Sequence, residues 1–287
     1  MSLVLFDQPG PRARARQRVF NVLALVLVAG LLALIVWRLH DRGQLEYRLW
    51  EPFVTPAYIQ AILVDGLLKT LQAAGTSIVL AVVFGLLFGV GKLSDHAWVR
   101  WPSWAVVEFF RAVPLLLLIT FVFFTFGVGD GFGPYWSLVV GLTLYNGSVL
   151  AEIFRAGILA VPAGQGEAAS ALGMRKTQVM TLVLLPQAVK IMLPSLISQC
   201  VVALKDTSLG AYILAPGLTF IGRSVYTEFQ NQVPTAIVLA ALYIAVNLVL
   251  TAVATWAQRR YVGEKSLVVP MVGDGASGLA PAGQRSI

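Results

Sequence analysis

The chain alternates long apolar runs with short polar connections, and the runs set its organisation. Six stretches are apolar: 19–39, 66–90, 103–126, 135–156, 188–204 and 233–257. A bilayer's hydrocarbon is about 30 Å thick, and an apolar helix of about 17–25 residues can cross it. The pattern therefore predicts six transmembrane helices. Residues 40–65 are mixed in charge, and 56–63 read as a short interfacial helix before the second span. A short polar connection covers 92–102, a glycine-rich turn 127–134, and a long, mildly polar connection 205–232. Gly85 and Gly89 have the GxxxG spacing that lets helices approach closely, with helix packing as the expected role. Pro194 is expected to kink the fifth span.

One connection, 160–187, has a pattern of its own. Pro162 can open a helix, where its missing N–H is no loss. Ala168, Ala169, Ala171 and Leu172 favour helix, and Gly173 offers a stop. Helical pattern resumes at Arg175 and runs into the next span. A helix, a glycine turn and a second helix can lie on the membrane face and dock in a partner's groove.

Composition fits this picture. Of 287 residues, 57% are hydrophobic and 12% charged, and mean hydropathy is +0.78. One membrane-embedded domain is expected. The net charge of +7 comes from bases flanking apolar spans, which points to topology and away from nucleic acid. Arg12, Arg14, Arg16, Arg18, Lys92, Arg100, Arg175, Lys176, Arg259 and Arg260 all fall inside if both termini are cytoplasmic. The run 19–39 is longer than a signal-peptide core of about 7–15 residues and has no small-residue cleavage site, so it reads as a retained helix. Residues 1–18 are expected to be a flexible arm, and 258–287 a disordered cytoplasmic tail. The single Cys200 reads as a packing residue.

The candidate chemistry is not catalytic. Gly91-Lys92 lacks the upstream glycine and following Ser or Thr of a phosphate loop, so any ATPase is another chain. His40 and His96 fall in separate loops, and no metal cluster is evident. Intramembrane charges are costly in lipid and so face protein or water. Glu108 with Arg111, and Glu152 with Arg155, have the i,i+3 spacing of pairs on one helix face. Counted along a straight span from Ser103, Arg111 would lie about 12 Å deep. Lys205 and Asp206 end the fifth span. Together with Arg111 they could line one polar cavity, with Arg111 gripping a carboxylate and Asp206 an ammonium.

Glu167-Ala168-Ala169, Gly173 and Leu185-Pro186-Gln187-Ala188 resemble the EAA loop of ATP-binding-cassette (ABC) importer permeases. Ala151-Glu152-Ile153-Phe154-Arg155-Ala156-Gly157, Gly164-Gln165-Gly166 and Lys205-Asp206-Thr207-Ser208-Leu209 resemble the polar amino-acid branch. The resemblance covers roughly 66–256. It implies an all-α polytopic protein with the type I, MetI-like permease fold in 66–257, preceded by an additional N-terminal helix at 19–39. It also implies a second permease subunit, an ATPase dimer that holds ATP and Mg, and an extracytoplasmic solute-binding protein. This chain itself would hold no cofactor. Glu167, Ala168, Ala169, Leu172, Gly173 and Met174 would couple to the ATPase. Arg111, Lys205, Asp206, Thr207 and Ser208 would bind substrate, with glutamate the first expectation and glutamine or arginine the alternatives. A stand-alone secondary carrier is the rival reading, but the inverted repeats common in such carriers are not evident.

Overall fold

The computed structural model describes residues 10–262, which are helical apart from short connections and contain no strand. Helix α1 (Pro11–Asp41) starts well before the predicted span. Pro11 sits in its first turn, and the arginines that follow are good helix formers. The expected flexible arm is therefore helical from Pro11 onward, while residues 1–9 lie outside the described residues. Among the described residues, the most apolar window of α1 is 0% buried.

Helix α2 (Pro56–Lys92) joins the expected interfacial helix and second span into one element of 37 residues. Its stretch Ala61–Leu68 has π-helical turns, which accommodate an extra residue without ending the helix. The third span is different from the expected continuous helix. Helix α3 (Ala97–Ala112) and helix α4 (Leu115–Gly127) meet at a 101° bend. Pro114 lacks an N–H and biases the preceding residue to extended backbone. Val113 accordingly has φ −76 and ψ 128.

Helix α5 (Gly133–Leu159) is the axis of the bundle, and 61% of its most apolar window is buried. Helix α2 is its most extensively packed neighbour. Gly85 and Gly89 lie directly over Leu150, Ala151 and Phe154 of α5, so the GxxxG spacing serves packing within the chain. One core cluster joins Ala73, Ile119, Leu138, Val139, Leu142 and Ile213. A second joins Ala81, Leu150, Phe154 and Met192.

Helix α6 (Ala163–Ala171) lies in the connection after α5. Helix α7 (Lys176–Ile213) then runs for 38 residues, well beyond the expected 188–204. It holds both Pro186 and Pro194, and its last turns, Thr207–Ile213, tighten to 3-10 geometry. Leu214 ends it with φ 58. The connection 205–232 contains a helix that the polarity pattern did not predict, α8 (Leu218–Phe229). The Leu218 N–H donates to the Thr70 hydroxyl at 2.8 Å, which satisfies one of the donors left over at a helix start. Helix α9 (Gln232–Val262) closes the described chain. Arg259 and Arg260 are in its last turn and not in a tail; residues 263–287 lie outside the described residues. Among the described residues, five helices are long and apolar enough to cross a membrane, or six if α3 and α4 count as one broken span.

Candidate functional site

The connection between α5 and α7 folds as helix, glycine turn, helix. Gly173 has φ +79. The Gly173 N–H donates to the Ser170 carbonyl at 2.9 Å, and the Met174 N–H to the Ala169 carbonyl at 3.3 Å. These two bonds are the Schellman arrangement that ends a helix on a left-handed glycine. On the far side of the turn, the Gln178 side chain accepts from the Arg175 N–H at 2.9 Å. Ala169 is buried, and Gly166 faces Val179 and Leu184 at the start of α7. Glu167, Ala168 and Gly173 are exposed, Met174 is half-buried, and Leu172 is 84% exposed. Leu172 thus stands open at the apex of the turn. Lys176, just past the turn, pairs with Asp95 in the α2–α3 connection. That ammonium holds the Asp95 carboxyl below the usual carboxylate range.

A charge cluster sits where α2, α3 and α5 meet. Glu108 bonds Arg111 at 3.3 Å and Glu152 bonds Arg155 at 3.0 Å, so both i,i+3 pairs form. Lys92 at the end of α2 joins them: its ammonium reaches Glu108 at 3.1 Å and also bonds Glu152. The Lys92 side chain is only 6% exposed. Lys92, Arg100, Trp101, Trp104, Glu108, Glu152 and Arg155 line a cavity of about 570 Å³. Arg111 lies one residue before the end of α3, next to the 101° bend into α4.

A second polar group lies further along α5 and α7. Buried Asn146 accepts from the Gln199 amide at 2.6 Å and donates to the Leu142 carbonyl at 3.1 Å. The Asp206 carboxylate neighbours the same Asn146 side chain. Thr207 is buried and its hydroxyl donates to the Leu204 carbonyl at 2.6 Å. Lys205 and Ser208 instead face a cavity of about 540 Å³ between α7 and α9, with Tyr243, Asn247 and Thr251. The Asn247 side-chain oxygen and the Thr143 hydroxyl are buried without a hydrogen-bond partner. Among the described residues, neither Lys205 nor Asp206 forms an ion pair. The structure thus brings Asp206 to Asn146, turns Lys205 and Ser208 to the α7–α9 cavity, and leaves Arg111 in the charge cluster.

Residues 81–263 match the family described as the binding-protein-dependent transport system inner membrane component. The chain belongs to this family of ABC importer permeases. The permease is 40% identical over 226 residues to the glutamate transport system permease protein GluD of Corynebacterium glutamicum, covering 77% of this chain and 83% of that protein. It is 33% identical over 198 residues to the probable glutamine ABC transporter permease protein GlnP of Bacillus subtilis, covering 68% and 91%. The crystal structure of an amino acid ABC transporter with histidines superposes with a TM-score of 0.66 at 27% identity, covering 71% of the permease and 96% of that chain. The MetNI methionine transporter in an inward-facing form superposes at 0.61 and 21% identity, covering 72% and 99%. The polar amino-acid branch suggested by the motifs is the branch of these relatives, and the MetI-like fold is present.

Three residues of the permease's polar groups escaped sequence reasoning. Lys92 ends an apolar run and reads as one of the cytoplasmic flanking bases; its carboxylate partners lie on two other helices. Asn146 and Gln199 are separated by 53 positions. Uncharged polar residues in apolar runs were the available signal, since in lipid they need partners.

Proposed function

We propose that the permease passes a polar amino acid, glutamate first, from an extracytoplasmic binding protein to the cytoplasm by alternating access. Two permease subunits would work with paired ATPase subunits that hold ATP and Mg, and both termini would be cytoplasmic. The observation that carries the substrate class is the 40% identity to a glutamate permease over 226 residues. Lys205, Asp206, Thr207 and Ser208 are the substrate region, where charges of both signs without an ion-pair partner among the described residues sit just before the last, 3-10 turns of α7. Lys205 and Asp206 sum to zero, which suits the ammonium and carboxylate of any α-amino acid. Arg111 is balanced by Glu108, so preference for an acidic side chain rests on the relatives; glutamine is the alternative.

Uptake into vesicles holding the whole transporter tests this reading. Asp206→Asn and Lys205→Met are expected to lower glutamate uptake at least tenfold while membrane insertion stays normal. Unchanged uptake in both variants removes these residues from the site. Arg111→Lys keeps the charge but loses the planar fork. Normal uptake in Arg111→Lys and Arg111→Ala would leave Arg111 as a structural partner of Glu108. Competition by glutamine equal to that by glutamate would select the neutral substrate.

A further inference from the structure

We infer that the α3–α5 junction holds one phospholipid whose headgroup carries both a phosphate and a primary ammonium. The site has a polar part and an apolar part. The polar part is the cavity of about 570 Å³ at the ends of α2 and α5. Lys92 is committed there to two carboxylates. Arg155 gives only its Nε to Glu152, which leaves its two terminal nitrogens for an anion. A guanidinium fork matches the oxygens of a phosphate. Glu108 is 39% exposed and can accept from an ammonium. A trimethylated headgroup nitrogen has no N–H to give it.

Trp101 and Trp104 wall this cavity and are 64% and 48% exposed. Tryptophan concentrates at the boundary between hydrocarbon and headgroups. The apolar part begins at the next residue along α3, Phe109, which is 61% exposed. It is a groove of about 610 Å³ that continues past Leu117, Phe121 and Phe126 to Leu144. Arg155 and Leu144 are eleven residues apart on α5, or about 17 Å along that helix. One leaflet of a hydrocarbon layer about 30 Å thick is about 15 Å deep. A headgroup at Arg155 therefore sets an acyl chain beside the groove. A free phosphate or a soluble zwitterion would use the polar part alone; a phospholipid uses both.

Native mass spectrometry of the purified full-length chain, with defined lipids added, tests the inference. Phosphatidylethanolamine is expected to remain bound at one per chain, at least tenfold more than phosphatidylcholine or phosphatidylglycerol. Glu108→Gln is expected to remove that preference, and Arg155→Gln to lower retention of all three lipids several-fold. Because Arg155 also braces Glu152, Trp104→Ala serves as the second variant. It is expected to lower retention of phosphatidylethanolamine several-fold without shifting the unfolding temperature. Equal retention of the three lipids overturns the inference, as does unchanged retention in the Trp104→Ala variant. Efficient disulfide cross-linking of two chains through Trp104→Cys also overturns it, since the face would then be a contact between copies.

Discussion

A leucine at Gly89 is expected to unfold the permease core at a markedly lower temperature, and an alanine at both Gly85 and Gly89 to come close to that effect. A Cβ at Gly89 would stand 2.8 Å from the Ala151 carbonyl oxygen and 3.3 Å from the Ala151 Cα. At Gly85 it would stand 2.8 Å from the Leu150 Cβ and 3.1 Å from the Gly147 carbonyl oxygen. These neighbours are backbone or the first atom of a side chain, so they cannot swing away. The two helices must separate, and α2 with α5 is the most extensive pair in the bundle. Overpacking of this kind costs about 1–3 kcal/mol per site. Gly75 on the same helix is the control, because nothing lies within 4 Å of its Cβ position. Gly75→Ala should be neutral or stabilising by up to about 1 kcal/mol, since alanine is the better helix former. Thermal unfolding in one detergent compares the three. Equal midpoints for Gly89→Leu and the wild type would mean that the α2–α5 contact is not close-packed.

The second large effect is functional. Gly173→Val is expected to reduce ATP-driven uptake at least tenfold while the chain still inserts and folds. Nothing lies within 4 Å of the Cβ position at Gly173, so there is no clash to relieve. The whole cost is conformational: φ is +79, and an L residue there costs about 1–2 kcal/mol, with β-branched residues the worst placed. The strain is escaped by moving Leu172 and α6, which carry the proposed ATPase contact. Gly173→Asn is the informative partner, because asparagine tolerates the left-handed region. It should retain most uptake. If valine and asparagine both transport normally, the turn is not what positions the contact. If both fail equally, side-chain bulk at the partner surface matters instead of backbone conformation.

Much of the fold was legible because lipid imposes a simple rule: long apolar runs become helices. The runs at 66–90, 135–156 and 233–257 fall within helices. The helix and glycine turn between α5 and α7 were legible too, since Pro162, the alanines and Gly173 act locally. The bend at Pro114 was harder. Its composition is as apolar as its neighbours', and the extended backbone at Val113 interrupts the helix without interrupting the hydrophobicity. Helix α8 was missed for the opposite reason: its mixed polarity reads as a loop until α2 supplies Thr70 as a cap. In the candidate site, the pairs within one helix were readable from spacing. The links made by Lys92 and by Asn146 with Gln199 depend on how helices are arranged side by side, and no local pattern encodes that.

The bare flanks of α1 have a consequence for how information is distributed along the chain. Helix α5 is constrained position by position: a methyl group too many at Gly147 would meet Phe84 at 2.7 Å. Among the described residues, the apolar window of helix α1 is 0% buried. Its only physical requirement within the chain is enough apolar length to stay in the bilayer. As far as contacts within the chain go, leucine, valine, isoleucine and phenylalanine are then nearly interchangeable along it. Two helices of one polypeptide thus carry different constraints, one at each position and the other on its average hydrophobicity.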